Sequence, residues 1–203
     1  MMLISVEGSR RSGKTYLTNY LKKQFSSIAD FFPNDKERAW LWKNSPPIPI
    51  DKESLKASQL WFMNQTEKKY SQAEMSNKKL VFFERDYLSH LSFSYAFAKT
   101  FNIDIFTDIK TICERNLTNS KFKRPDLRLI CDNNYELFSE RTAKTTEKNI
   151  ETIWSNKNFA SNLFDFYRDF SIQYEPRNSF LIEPNVDTTF SRKIIENFLS
   201  NVE

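Results

Sequence analysis

The stretch Gly8-Ser9-Arg10-Arg11-Ser12-Gly13-Lys14-Thr15 decides the fold. Its spacing is that of G-x-x-x-x-G-K-[ST], a loop whose backbone N–H groups turn inward on phosphate oxygens. Leu3-Ile4-Ser5-Val6 before it reads as an apolar strand, and Leu17, Tyr20, Leu21 and Phe25 after it share one face of a helix over residues 13–25. Such a strand delivers the chain into the loop, glycine lets the backbone approach an anion, and the helix start turns its positive dipole end to the same place. The pattern predicts ATP bound by Gly8, Ser9, Arg10, Arg11, Ser12, Gly13, Lys14, Thr15 and Tyr16. Lys14 would reach the β- and γ-phosphates and the Thr15 hydroxyl would hold Mg²⁺.

Glycine is scarce elsewhere. The 203 residues include two, Gly8 and Gly13, where an average protein has about 7%. Both stand in this loop, at positions where a side chain would be intolerable. Hydrophobic residues at 39% and charged residues at 28% fit one globular domain over 1–203. Apolar runs such as Leu80-Val81-Phe82-Phe83 are too short to cross a bilayer, and the chain opens on a strand with no basic leader. These features, with Cys113 and Cys131 read as free thiols, place the protein in the cytoplasm with no membrane partner. The net charge of +4 is scattered among acids rather than gathered in a stripe. That argues against a nucleic-acid polymer and suits a pocket for several phosphates. The chain is compatible with a homodimer.

Outward from the loop, strand and helix patterns alternate. Residues 28–32 read as a second strand ending at Pro33, and 44–49, with three prolines, as a loop. A long helix is expected over 52–77 with Leu55, Leu60, Trp61 and Met63 buried. Leu80 to Phe83 reads as a strand covered on both faces. Helices are expected over 87–100, 105–119, 134–150, 156–174 and 188–199, and strands over 127–131 and 179–182. The sum is α/β: a doubly wound sheet of five parallel strands with helices on both faces.

The third strand ends in Glu84-Arg85-Asp86. A carboxylate at that position would hold Mg²⁺ or its water beside the phosphate loop, so Glu84 joins Thr15 as a metal candidate. Arg85 would clamp an acceptor phosphate or the group in transfer, with Asp86 as a second acid nearby.

The phosphate loop, FFERDYLSHLSFSYA, RPDLRLICDNNYELFSERTAKT and FLIEPNVDTTF in this order resemble the thymidylate kinase and deoxynucleoside kinase group. The resemblance implies a P-loop kinase that moves the terminal phosphate of ATP to a nucleoside monophosphate or nucleoside. It implies metal or base work for Glu84, acceptor contacts for Arg85, and the start of the fourth strand at Pro125-Asp126-Leu127. Glu140-Arg141 would lead into a lid over about 141–150, with Arg141 a lid cation and Lys144 and Lys148 weaker candidates. Arg11 falls where some thymidylate kinases carry a catalytic arginine, and Asn185-Val186 on the adenine-contacting loop. The acceptor side would lie in 34–77. Two positions depart from the group: Arg10 stands where an aspartate is usual, and Phe31-Phe32-Pro33 lacks the charged residue before proline, leaving Asp30, Asp35 and Arg38 as nearby substitutes.

Other features are read as structural. His90, the one histidine, is expected to be a partly buried helix residue, and most of Trp40, Trp42 and Trp61 to be core. Phe93, Phe97 and Phe101 fit a packed helix face. Asn156-Lys157-Asn158 lacks the acid that a guanine-reading motif requires. Two other functions fit the same loop: a phosphotransferase for a non-nucleotide small molecule, and a nucleotide-binding regulatory module with little turnover.

Overall fold

The structure, a computed structural model, describes residues 1–33, 35–47, 49, 51–144, 153–170, 178–184 and 187–200. Five strands form its sheet: β1 (Met2–Glu7), β2 (Ala29–Phe32), β3 (Leu80–Glu84), β4 (Leu127–Cys131) and β5 (Ser179–Ile182). Their order is β2-β3-β1-β4-β5 and every pairing is parallel. Around them lie α1 (Lys14–Phe25), α2 (Asp35–Asn44), α3 (Lys52–Glu74), α4 (Tyr87–Phe101), α5 (Phe106–Thr118), α6 (Tyr135–Ala143), α7 (Lys157–Asp165) and α8 (Thr188–Ser200).

Strand periodicity sorts the core into two layers. Leu3, Val81, Phe83 and Ile130 face one side, under α3, α4, α5 and α7. Their neighbours Ile4, Val6, Leu80, Phe82, Leu127 and Leu129 face the other, under α1 and α8. Both faces of β3 are therefore covered, which is why its run of four apolar residues shows no alternation. Helix starts are fixed by side chains that accept backbone N–H bonds. Asp51 accepts from Ser54 N (2.8 Å) while Ser54 Oγ accepts from Asp51 N (3.1 Å), a reciprocal cap for α3. Asn134 caps α6, and Asn156 caps α7 through the N–H groups of Asn158 and Phe159. The Asn-Lys-Asn stretch is thus a helix cap. Cys113 and Cys131 are both buried free thiols.

Several expectations are corrected. Residues 35–44 form α2, where no helix was read: their apolar residues are consecutive, so no 3–4 spacing marks them. The helix expected over 156–174 is α-helical to Asp165 and then widens into a π-helical turn over Phe166–Phe170; its remainder lies outside the described residues. For the helix expected over 134–150, α6 ends at Ala143 and 145–150 lie outside the described residues. Leu60, expected inside, is exposed, as is Phe101; of the three tryptophans, most of which were expected in the core, Trp40 is exposed. No described helix is long and apolar enough to cross a membrane.

Candidate active site

β1 sits between β3 and β4, so the loop leaving its carboxyl end lies beside the ends of both neighbours, at a switch point of the sheet. Gly8 has φ of +135°, and a Cβ there would stand 2.5 Å from the Cys131 carbonyl oxygen on β4. Gly13, at φ +102°, turns the chain into α1 in a left-handed conformation that side chains disfavour. Ser12 N donates to Ser9 O (3.4 Å), closing the loop on itself. Lys14 Nζ folds back to donate to Ser9 O and lies 3.5 Å from Ser12 Oγ. Burial, then the nearby Arg85 guanidinium, pull the Lys14 ammonium down to about 7. A cation so desolvated gains by meeting an anion.

The residues expected to carry chemistry converge on this loop. Thr15 Oγ1 is 3.5 Å from Glu84 Oε1, bridging the start of α1 to the end of β3. Arg141, in the last turn of α6, donates to Arg11 O (2.7 Å), and Arg11 itself is left-handed at φ 62°. Arg85 is left-handed too, at φ 67°, and its Nη1 reaches Ser89 Oγ at 3.4 Å. Arg10 places its guanidinium 5.7 Å from the Trp154 ring centre. Tyr16 is 73% exposed. Lys144 pairs with Glu140 one helical turn away on the surface. Lys148, Asn185 and Val186 lie outside the described residues. Asp86 is withdrawn from the site: it is fully buried, caps α4 through Leu88 N (2.6 Å) and is bound by Arg128 at 2.9 and 3.2 Å. Burial alone would raise its carboxyl, but Arg128 and the hydrogen bonds outweigh this and hold it below the ordinary range.

Sequence reasoning missed the groups that support these. Glu7, the last residue of β1, is fully buried and accepts from Asp86 N, from Ser89 Oγ (2.6 Å) and from Tyr167 OH (3.1 Å). Burial first, and the adjacent Asp86 charge second, push its carboxyl up to about 7. An acid ending an apolar run, directly before the first glycine, was the available signal. Lys69 of α3 is buried and donates to Arg85 O (2.6 Å) and Glu84 O (3.3 Å). Asn133, after β4, donates from Nδ2 to Arg10 O (3.3 Å) and Ser9 Oγ (3.4 Å), while Arg168 from the π-helical turn donates to both Asp132 carboxylate oxygens (3.1 Å each). On the acceptor side, Arg38 of α2, one of the three substitutes named from the sequence, pairs with Glu84 Oε2 at 2.7 Å, and its buried Nε has no hydrogen-bond partner among the described residues. Trp40 and Trp61 stack at 6.1 Å, 13° from parallel.

The donor set fits a hard cation of modest demand. Thr15 and Glu84 supply two oxygens, and no cluster of three or more His, Cys, Asp or Glu able to hold a metal occurs among the described residues. Mg²⁺ is bound in this way, with one or two protein oxygens and the rest from phosphate and water.

No protein-family model matches the sequence, and no curated protein does. Solved structures do match over nearly the whole chain. Deoxyadenosine kinase from M. mycoides, with its products dCMP and a flexible dCDP bound, is 19% identical with a TM-score of 0.69, over 98% of this chain and 100% of that one. Thymidylate kinase from Candida albicans is 17% identical with a TM-score of 0.68, over 97% and 91%. Thymidylate kinase from Ehrlichia chaffeensis is 17% identical with a TM-score of 0.59, over 98% of each. The fold of this chain, a five-stranded parallel sheet wound on both faces, is thus one it shares with these deoxynucleoside and thymidylate kinase structures.

Proposed function

We propose that the chain transfers the γ-phosphoryl group of ATP to a nucleoside monophosphate or a nucleoside. One juxtaposition carries the reading: the Thr15 hydroxyl and the Glu84 carboxylate, 69 residues apart, meet at 3.5 Å at the end of the 8–15 loop. Likeness of fold to deoxynucleoside and thymidylate kinases supports the acceptor class.

In this reading Gly8 to Thr15 cradle the triphosphate. Lys14 leaves its resting bond to Ser9 O for the β- and γ-phosphates, whose charge offsets its burial and the nearby Arg85 guanidinium. Bound between Thr15 and Glu84, Mg²⁺ would neutralise charge on the phosphates. Arg11 adds positive charge where the γ-phosphate becomes more negative, and Arg85 and Arg141 position the acceptor and the phosphoryl group in transfer; transfer then depends on positioning and electrostatics. Glu84 is held by Arg38 at rest, and an anionic acceptor competing for that guanidinium would free the carboxylate. Trp40 and Trp61 offer a ring face to a base. Residues 141–150 are proposed as the lid and Asn185-Val186 as adenine contacts. A cytoplasmic setting, where ATP is abundant, fits this reading.

The test is transfer of label from γ-labelled ATP with Mg²⁺ to separate panels of deoxynucleosides, deoxynucleoside monophosphates, sugars and aminoglycosides. Label on a nucleoside or nucleotide is expected. Label confined to sugars or aminoglycosides selects the non-nucleotide phosphotransferase. Tight ATP binding with no transfer selects the regulatory module.

A further inference from the structure

Arg11 and Arg85 are both left-handed, at φ 62° and 67°, a conformation that side-chain-bearing residues disfavour. Each has its carbonyl oxygen gripped by a cation from another element: Arg11 O by Arg141 of α6 at 2.7 Å, and Arg85 O by Lys69 of α3 at 2.6 Å. Arg85 is tied more completely. Its N–H donates to Val6 O on β1 (3.1 Å), the next N–H, that of Asp86, donates to the Glu7 carboxylate, and Lys69 Nζ also reaches the preceding carbonyl, Glu84 O, at 3.3 Å.

Lys69 is an unexpected residue to bury. Its ammonium sits 5.5 Å from the Phe83 ring centre, and its hydrogen bonds go to two successive backbone carbonyls of the β3–α4 turn. For stability alone, an apolar residue of similar volume in a buried helix face serves as well or better. The ammonium supplies what such a residue cannot: a fixed grip on the peptide that sets the direction of the Arg85 side chain. We infer that Lys69 is a positioning residue, which locks the left-handed Arg85 turn so that the guanidinium is presented to the phosphoryl group in transfer. The inference rests on the kinase reading for the use of Arg85, and on the hydrogen bonds alone for the lock.

The experiment compares wild type with Lys69→Met, which keeps the stem and removes the donors, and with Lys69→Arg, which keeps charge and donors. Three quantities are read: hydrogen exchange of the Arg85 and Asp86 amides in the free protein, ATP·Mg²⁺ affinity by calorimetry, and transfer from ATP to dTMP, dCMP and deoxyadenosine. In Lys69→Met the two amides should exchange at least about tenfold faster. Its kcat should fall by about ten- to a hundredfold, as displaced catalytic groups do. The ATP affinity should stay within about twofold, because Lys69 bonds to no residue of the 8–15 loop. Lys69→Arg should recover most of kcat. Unchanged exchange and unchanged kcat in Lys69→Met would overturn the inference, as would equal loss of kcat and ATP binding in both variants. If wild type transfers phosphate to none of the three acceptors, the kinase reading fails for them. The amide exchange still decides the lock: faster exchange in Lys69→Met upholds it and no change removes it.

Discussion

The chain turns sharply at the carboxyl ends of two neighbouring strands, and it does so by opposite means. After β1 the turn is made by glycine: Gly8 has no room for a Cβ against Cys131 O, and Gly13 opens α1 with φ +102°. After β3 the turn is made by Arg85, at φ 67°, and a side chain there is tolerated because Val6 O, Glu7 and Lys69 hold the peptides around it. The first turn is secured by the absence of atoms, the second by buried charges drawn from distant parts of the chain. The proposed function gives this difference a reason: a phosphate cradle would need backbone and no side chain, whereas a clamp on a moving group would need a guanidinium, so its turn would have to carry the strain.

The largest effect expected on stability comes from unpairing the buried charges under the arginine turn. Arg128→Met leaves the Asp86 carboxylate, fully buried, without its cation. Loss of one partner of such a pair costs about 3–5 kcal/mol, measurable by urea denaturation, and the loss should be accompanied by faster exchange of the α4 amides. Next comes Gly8→Ala. The added Cβ meets Cys131 O at 2.5 Å and the backbone stays at φ +135°, so destabilisation of roughly 3 kcal/mol is expected. A loss below about 1 kcal/mol would show that the glycine turn is less constrained than its geometry implies.

pH probes the buried groups around the arginine turn. His90, on α4 one turn beyond Arg85, is bonded to Thr66 of α3 at 2.9 Å, and burial, aided by the Lys69 charge, lowers its pKa to about 3. The unfolded chain then binds the proton first, so stability present above pH 6.5 is lost as pH falls towards 3. Glu7, raised to about 7, acts in the opposite sense and loses its contribution as pH rises. The difference between His90→Gln and wild type isolates the histidine: between pH 7 and 5 the variant should gain about 2 kcal/mol relative to wild type. A difference independent of pH would mean that His90 is hydrated in solution. The smallest effect is the mirror of the glycine substitution. Arg85→Gly removes the left-handed penalty at the cost of a more flexible unfolded chain, so stability should change by only about +0.5 kcal/mol. Transfer should nonetheless be nearly lost.

The glycine turn was legible because it is local. Two glycines five apart, one lysine, one hydroxyl, a strand before and a helix after all lie within the first 25 residues. The five strands were legible for the same reason, since each is a short apolar-rich stretch, interrupted at most by single polar residues such as Asp30 in β2 and Arg128 in β4. The arginine turn was half legible. Glu84-Arg85 stood at the end of a strand, but what supports it comes from Lys69, Glu7, Arg128 and Tyr167, and no spacing in the sequence joins these. Lys69 reads as one more surface charge on a long helix. The buried stripe of α3 is Leu55, Ser58, Gln59, Met63, Thr66, Lys69, Tyr70 and Ala73; half of it is polar, so choosing apolar residues put Leu60 inside by mistake. Helix α2 was missed because Ala39, Trp40, Leu41 and Trp42 run together, and reading most of the tryptophans as core passed over the exposed Trp40, which stacks on Trp61.

The most direct measurement is phosphorus NMR of the protein with ATP, Mg²⁺ and an equimolar set of deoxynucleoside monophosphates and deoxynucleosides, run beside Lys14→Ala. With wild type, the γ-phosphate resonance should disappear as ADP and a newly phosphorylated acceptor appear together. Lys14→Ala should slow this by about a hundred- to a thousandfold while its thermal transition stays near that of wild type. ATP left intact, ATP converted to ADP and free phosphate alone, or transfer undiminished in Lys14→Ala would contradict the assignment.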